Sequence, residues 1–151
     1  MLSEQTDNRV FNKDYGKNAH CQTSFNEENI AKIASLVFER FSKQAINILD
    51  LCCGNGEPTY NLLKKLEEKG MKVNKIIGYD ISPEQIEIAN DKYKNERLQF
   101  KVQDVEEMKE ENSYHVIVSL FGLHWIHNIN EVAYKVYQAS KPNALVFSLF
   151  H

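Results

Sequence analysis

The feature that most constrains the fold is an apolar run that ends in a carboxylate and a glycine-containing loop, ILDLCCGNG at residues 48–56. A second apolar run, KIIGYD at residues 75–80, also ends in a carboxylate, that of Asp80. Glycine lets the backbone of such a loop approach a ligand closely and adopt dihedral angles that a Cβ would forbid. Asp80 is placed to accept hydrogen bonds from both hydroxyls of a ribose. On consecutive strands, the two segments predict a site for an adenosine-type cofactor.

Patterns typical of strands and helices alternate along the rest of the chain. Short apolar runs indicate buried strands, and apolar residues three and four positions apart indicate helices. Because strands that alternate with helices form right-handed crossovers, the sequence predicts an α/β fold with a doubly wound parallel sheet. The predicted strands are residues 45–51, 75–80, 98–102, 115–121 and 144–150. Helices are predicted at residues 26–44, from Pro58 to a stop at Gly70, after a cap at Ser82, and at residues 130–140, with a turn at residues 141–143.

Composition and charge narrow the class of protein. The formal net charge of -3 and the pI near 6.0 do not show the excess of basic residues that is typical of nucleic-acid-binding domains. No apolar run approaches the length of a membrane span. The three cysteines, Cys21, Cys52 and Cys53, are an odd number that suits a reducing compartment, so a cytoplasmic location is predicted. Since Cys52 and Cys53 have no second ligand cluster, no metal site is predicted.

Two further motifs extend the pattern, Asp104 within VQDVEEM and the run VSLFGLHW at residues 118–125. With Asp50, the glycine loop and Asp80, they resemble the motifs of class I S-adenosylmethionine-dependent methyltransferases, which have a Rossmann-like fold. The resemblance covers the chain from about residue 11 to its end. The LHW tripeptide after strand four resembles the same segment of the small-molecule carboxyl O-methyltransferases. These include the trans-aconitate, malonyl-acyl-carrier-protein and juvenile hormone acid types. An N-terminal pattern of those enzymes is matched by Phe11, Tyr15, Ala19 and Gln22.

The resemblance implies S-adenosylmethionine as the cofactor and a set of residues that hold it. The loop at residues 50–56 would hold the methionine end through its backbone, with Cys52 standing where this family usually has the first loop glycine. Asp80 would accept from the ribose hydroxyls, Ile81 would pack on the adenine, and Asp104 would accept from the adenine amino group. The implied cofactor-binding residues are Asp50, Cys52, Gly54, Asn55, Gly56, Asp80, Ile81, Asp104, Val105, Ser119 and Leu120.

The same resemblance implies transfer of a methyl group to a carboxylate or other oxygen of a small molecule by in-line displacement. A carboxylate is already ionised near neutral pH, so the reaction needs orientation and exclusion of water rather than a base. Gln22 and Trp125 would donate to the acceptor carboxylate, and Tyr15 and His124 would line its pocket. The expected partner is a small-molecule acceptor, with neither nucleic acid nor a membrane.

Two other functions share features with this one. An NAD(P)-dependent oxidoreductase has the same architecture, but its fingerprint requires a third glycine where this chain has Thr59. The amino methyltransferases of nucleic acids carry an NPPY-like turn after strand four, and this chain has SLFG there. Both alternatives are therefore less favoured than a small-molecule methyltransferase.

The end of the sequence adds a third alternative, a non-catalytic S-adenosylmethionine-binding fragment. Residue 151 follows the fifth predicted strand, whereas family members normally continue with further helices and strands. We therefore expect a sheet truncated after the fifth strand, self-association through its exposed edge, and cofactor binding that survives better than catalysis. The expected organisation is an N-terminal arm at residues 1–25, a candidate lid, and a C-terminally incomplete S-adenosylmethionine-binding domain at residues 26–151.

Overall fold

Strands and helices alternate along the chain, as the sequence predicts. The structure, a computed structural model, describes residues 19–120 and 126–148, with side chains from residue 27 onward. The elements in chain order are α1 (Ala19–Phe41), β1 (Ile46–Leu51), α2 (Glu57–Glu68), β2 (Val73–Asp80), α3 (Pro83–Lys92), β3 (Leu98–Val102), a 3₁₀ turn (Val105–Glu107), β4 (Tyr114–Ser119), α4 (Ile129–Ala139) and β5 (Ser140–Ser148).

Within the described ranges, five strands form one parallel sheet in the order β3-β2-β1-β4-β5. The chain moves outward from β1 to β3 on one side of the sheet and from β4 to β5 on the other. The strand order therefore reverses between β1 and β4. Ligands of such sheets bind at this kind of switch point, outside the carboxyl ends of the strands. The predicted doubly wound parallel sheet is confirmed.

Helices cover both faces of the sheet. α1, α2 and α3 pack on one face through a core that includes Val37, Leu62 and Ile86. α4 and the 3₁₀ turn cover the other face, where Val132 packs in one cluster with Ile117 of β4. Burying each such side chain stabilises the fold by about 1.5–3 kcal/mol. Because the central strands are buried on both faces, their sequences are continuous apolar runs.

Two predicted helix boundaries are confirmed by their capping geometry. The Ser82 hydroxyl accepts a hydrogen bond from the Gln85 amide at 3.3 Å, and Pro83 begins α3. α2 ends at Glu68, and Gly70 follows with a φ of +83°. That left-handed conformation is one that glycine adopts without a Cβ clash, so Gly70 ends the helix as expected.

The first helix is longer than predicted. α1 begins at Ala19 rather than at residue 26, so it crosses the expected division between arm and domain at residues 25 and 26. The prediction relied on an apolar stripe that starts at Ile30, and such a stripe does not mark where a helix begins. Within the described residues, no helix, α1 included, combines the length and hydrophobicity that crossing a bilayer requires.

The start of the fifth strand also differs from the prediction. β5 begins at Ser140, directly after α4, so residues 141–143 are not a separate turn. They form a bulge instead, because Tyr114 pairs with Ser140 whereas Val116 pairs with Leu145. Asn143 has a φ of +67° within this bulge, a conformation that asparagine tolerates better than most residues.

Candidate functional site

A cavity of about 460 Å³ lies at the carboxyl edge of the sheet, beside the ends of β1, β2 and β3. We call it the Asp80 cavity. Six of the residues implied for cofactor binding line it, which brings three separate segments of the sequence together. They are Cys52, Gly54, Asp80, Ile81, Asp104 and Val105.

The Asp80 carboxylate is held by backbone amides at the end of β2. Its Oδ2 accepts from the Gly54 amide at 2.8 Å, and its Oδ1 accepts from the Ser82 amide at 3.0 Å. A carboxylate offers about four acceptor positions, so Asp80 retains capacity for further donors. Because Asp80 also lines the cavity, that capacity is available to a ligand.

The loop between β1 and α2 folds back on the end of β2. The Cys53 amide donates to the Tyr79 carbonyl at 2.8 Å, and the Gly56 amide donates to the Cys53 carbonyl at 3.1 Å. Cys52 has a φ of +59°, the same as Gly54. Cys52 thus adopts a left-handed backbone conformation that is natural for glycine, at a cost of about 1–2 kcal/mol for its Cβ.

Gly56 has a packing role in this loop. It has a φ of +87°, and a Cβ placed there would lie 2.7 Å from Phe100 Cζ and 2.8 Å from Ala89 Cβ. Gly56 does not line the Asp80 cavity. Its lack of a side chain therefore lets the start of α2 pack against β3 and α3.

Asp104 follows β3 and caps the 3₁₀ turn. Its Oδ1 accepts from the Glu106 amide at 2.9 Å, and the Gln103 amide donates to the Asp80 carbonyl at 2.9 Å. These bonds fix the chain after β3 against the end of β2. Three carboxylates, those of Asp80, Asp104 and Glu106, consequently line one cavity, which favours a ligand that offers hydrogen-bond donors or positive charge.

Asp50 lies beneath the loop and is fully buried. Its Oδ2 accepts from the Thr59 hydroxyl at 2.6 Å, and its Oδ1 has no hydrogen-bond partner among the described residues. Burial raises the pKa of Asp50 to about 7, helped by the negative charge of Asp80 and opposed by the Thr59 hydroxyl and the nearby Leu120 amide. The hydrogen bond between Asp50 and Thr59 therefore ties the end of β1 to α2 beneath the loop.

The remaining implied cofactor residues lie outside the lining of the Asp80 cavity. The Asn55 side chain accepts from the Glu57 amide at 3.0 Å and caps the start of α2. Ser119 and Leu120 are buried at the end of β4. These residues were implied by the resemblance to the family, which does not determine on which side of the sheet a side chain lies.

The two thiols near the cavity are weak nucleophiles. Burial, followed by the negative charges of Asp80, Asp50 and Asp104, raises the pKa of Cys52 to about 12. Burial also raises the pKa of Cys53 far above its ordinary value. Since the thiolate is the reactive form, neither cysteine is suited to nucleophilic catalysis. Among the residues that the structure describes, no cluster of three His, Cys, Asp or Glu could hold a metal ion.

The four residues implied for acceptor positioning fall on parts of the chain whose side chains the structure does not describe. Tyr15, His124 and Trp125 lie outside the described residues. Gln22 is within α1, but its side chain lies outside the described ones. Their roles remain predictions.

Six residues that sequence reasoning missed complete the Asp80 cavity. Some were within reach of the sequence, because α3 begins three residues after Asp80 with its cap at Ser82, and Gln103 directly precedes Asp104. Others depend on a distant contact, in which the His127 amide donates to Glu106 Oε2 at 3.1 Å. Nothing in the local pattern indicates that contact. The six are Ser82, Gln85, Gln103, Glu106, Ile126 and His127.

Comparison with known proteins identifies relatives along most of the chain. Residues 48–143 match the family model described as a methyltransferase domain. Malonyl-[acyl-carrier protein] O-methyltransferase of Priestia megaterium is 30% identical over 154 residues, covering 99% of this chain and 53% of that protein. The Bacillus cereus enzyme of the same name is 32% identical over 120 residues, covering 78% of this chain and 43% of that protein. The chain spans about half the length of the curated relatives it matches.

A solved structure shares the fold. An S-adenosylmethionine-dependent methyltransferase from Mesorhizobium loti superposes with a TM-score of 0.59 at 20% identity, covering 68% of this chain and 45% of that chain. At this identity the likeness concerns the fold alone. Because the family model covers more than half of the 151 residues, the chain belongs to the class I S-adenosylmethionine-dependent methyltransferase family.

Proposed function

We propose that this chain binds S-adenosylmethionine in the Asp80 cavity and transfers its methyl group to a carboxylate, or another oxygen, of a small molecule. The observation that carries the proposal is the pair of carboxylates, Asp80 after β2 and Asp104 after β3, on one cavity at the switch point of the sheet. The names of the malonyl-[acyl-carrier protein] relatives support an acid carried as a thioester as the acceptor.

The chemistry of the lining residues fits the cofactor. Asp80 has acceptor positions left for ribose hydroxyls after its two backbone bonds. Asp104 lines the same cavity at the next strand, where it can accept from an amino group. Ile81 is 64% exposed beside them, and such an exposed apolar side chain offers a surface for a flat ring. The cavity, at about 460 Å³, has an ordinary size for a small-molecule site.

The residues of the chain would bind and orient rather than exchange protons. S-adenosylmethionine held in the Asp80 cavity would supply an electrophilic methyl group to an acceptor oxygen, with sulfur as the leaving group that would keep the electron pair of the broken carbon–sulfur bond. A carboxylate acceptor is ionised already, and no base is needed. Well-aligned reactants can gain about 7–11 kcal/mol from orientation alone.

The individual roles follow the resemblance of the sequence to its family. Asp80 would hold the ribose, Ile81 and Val105 the adenine ring, and the loop through Cys52 and Gly54 the methionine end. Asp50, Asn55 and Gly56 would support that loop from beneath. Ser119 and Leu120, at the end of β4, would lie near the methionine portion of the cofactor. The acceptor would be positioned by Gln22, Trp125, His124 and Tyr15.

A nicotinamide cofactor is less favoured by this site. Thr59 occupies the position of the third glycine in the dinucleotide fingerprint, and its buried hydroxyl donates to Asp50. The first turn of α2 therefore carries the Thr59 side chain at the position where a dinucleotide-binding helix has a glycine. That glycine permits close packing of the helix against the strand.

Association and location are secondary proposals. β5 is an edge strand of the described sheet, and an exposed strand edge can pair with another chain. Sedimentation velocity at rising concentration should then detect a dimer, and a monomer throughout would contradict it. The free thiols of Cys52 and Cys53 support the proposal of a cytoplasmic location, because free thiols are common in reducing compartments.

The experiment for methyl transfer uses S-adenosylmethionine with a deuterated methyl group. The chain is incubated with malonyl thioesters, short dicarboxylic acids and a nucleic-acid control, and products are identified by mass spectrometry. A deuterated methyl ester on a carboxylic acid supports the proposed function. Label only on nucleic acid, or no labelled product although the cofactor is bound, contradicts it.

A further inference from the structure

A second cavity, of about 240 Å³, lies between α4 and the carboxyl ends of β4 and β5. We call it the β5 cavity. Its walls are largely apolar, with Val132 and Val136 from α4 and Ile117 from β4. Among its described lining residues none is charged, and the polar side chains are Ser119, Ser148 and Asn130.

The two serine hydroxyls lack partners although they are buried. Ser119 is 2% exposed and Ser148 is 9% exposed, and neither Oγ has a hydrogen-bond partner among the described residues. A buried hydroxyl without a partner costs about 1–3 kcal/mol. Two such groups in one small cavity therefore indicate a ligand that supplies the missing bonds.

The register of the sheet places these hydroxyls side by side. Ser119 of β4 pairs with Ser148 of β5. Because side chains alternate along a strand, Ser119 lies on the same face as Ile117, which packs with Val132 of α4. Both hydroxyls thus face the α4 side, where the β5 cavity lies.

The β5 cavity is next to the proposed cofactor site. Leu51 lines the β5 cavity, whereas the following residue, Cys52, lines the Asp80 cavity. β1 and β4 are neighbouring strands, so the two cavities flank the switch point of the sheet. A molecule in the β5 cavity would therefore lie beside a cofactor in the Asp80 cavity.

The lining selects the chemical class of the occupant. Without a charged side chain, the cavity disfavours an ionised group, and its apolar walls suit a short carbon chain. Two neighbouring hydroxyl donors suit one carbonyl oxygen, which can accept two hydrogen bonds. The volume of about 240 Å³ accommodates a short acyl group rather than a whole cofactor.

We propose that the β5 cavity binds the neutral acyl carbonyl of the methyl acceptor, held by the hydroxyls of Ser119 and Ser148, and leaves the acceptor carboxylate outside, beside the cofactor. This proposal rests on the proposed function. It assigns Ser119 to the acceptor rather than to the cofactor.

The test compares two matched probes in a calorimeter. One is the malonyl thioester of N-acetylcysteamine, and the other is its thioether analogue, in which a CH₂ replaces the thioester carbonyl while the carboxylate is kept. Both are titrated into the chain after saturation with S-adenosylhomocysteine. The wild-type chain should prefer the thioester by roughly 2- to 160-fold, the range expected for one or two hydrogen bonds.

The variants Ser119→Ala and Ser148→Ala should each reduce that preference, because each removes one of the two donors, and the double variant should bring it near unity. The control is Ser140→Ala, because the Ser140 hydroxyl already donates to the Val136 carbonyl at 2.7 Å and does not line the β5 cavity. Ser140→Ala should retain the wild-type preference. Thermal melting of each variant verifies that it is folded.

Three results would overturn the assignment of the β5 cavity. They are equal affinity of the wild-type chain for both probes, binding of neither probe, and an unchanged preference in both serine variants. If S-adenosylhomocysteine itself does not bind, the proposed function fails. The same comparison of the two probes without S-adenosylhomocysteine then still tests whether the β5 cavity binds the acyl carbonyl. If S-adenosylhomocysteine binds and the probes do not discriminate, only the acyl-carbonyl proposal fails.

Discussion

The Asp80 carboxylate accepts a hydrogen bond from the Gly54 amide at 2.8 Å, across 26 positions of sequence. This bond ties the glycine loop after β1 to the end of β2. Hydrogen bonds to a charged group contribute about 1.5–3 kcal/mol. The side chain proposed to bind the ribose is therefore oriented by the same loop that is proposed to hold the methionine end.

Replacing Gly56 with alanine should destabilise the fold far more than the same change at Gly70. Both residues have positive φ, +87° and +83°, which costs a Cβ about 1–2 kcal/mol. Only at Gly56 would the Cβ also press on Phe100 and Ala89, adding about 1–3 kcal/mol of overpacking. Urea denaturation measures both losses of unfolding free energy. Equal losses would show that Gly56 is not tightly packed.

The raised pKa of Asp50 predicts that the fold loses stability as the pH rises. Its pKa is raised from 3.8 to about 7 in the folded chain, so between these values the folded state binds more protons than the unfolded state. The unfolding free energy should fall through this window, by about 4 kcal/mol at most, and level off above it.

The variant Asp50→Asn tests this pH dependence, because it removes the charge and keeps an oxygen that can accept from Thr59. Denaturant titrations at about pH 5 and about pH 8 give the unfolding free energies. The variant should gain stability over the wild-type chain at the higher pH, with a smaller difference at the lower pH. The same difference at both pH values would mean that Asp50 does not titrate in this range.

Removing the unpartnered hydroxyls should not destabilise the ligand-free chain. Ser119→Ala and Ser148→Ala each delete a buried group that has no described partner, so the unfolding free energy should stay level or rise by about 1–2 kcal/mol. Ser140→Ala deletes a hydroxyl bonded to Val136 and should lose about 0.5–1.5 kcal/mol. A large loss at Ser119 or Ser148 would indicate that the protein itself satisfies the hydroxyl.

Local signals in the sequence predicted the parts of the fold that local chemistry determines. β3 occupies the predicted residues, Leu98–Val102. The Ser82 cap and the left-handed Gly70 mark helix ends as expected, since capping requires only neighbouring residues. The placement of Asp80 at the end of β2 followed in the same way from an apolar run that stops at a carboxylate.

Features that depend on distant contacts were less accessible. The bulge before Leu145 depends on how β5 pairs with β4, which residues 141–143 do not encode by themselves. The burial of Ser119 on the α4 face depends on the alternation of side chains at the end of β4. The predicted end of this strand was wrong by two residues, because β4 ends at Ser119 and not at residue 121. The contact of Glu106 with the His127 amide joins segments with no common pattern.

The affinity of the chain for S-adenosylhomocysteine in a titration calorimeter, compared between the wild-type chain and Asp80→Ala, most directly tests whether the Asp80 cavity binds the cofactor. Asp91→Ala, an exposed aspartate on α3, is the control, and circular dichroism checks folding. The wild-type chain and the control should bind alike. Loss of the ribose bonds in Asp80→Ala should weaken binding by about 2–4 kcal/mol, roughly 30- to 900-fold in Kd. An unchanged Kd in folded Asp80→Ala, or tight binding of NADH without binding of S-adenosylhomocysteine, would contradict the account.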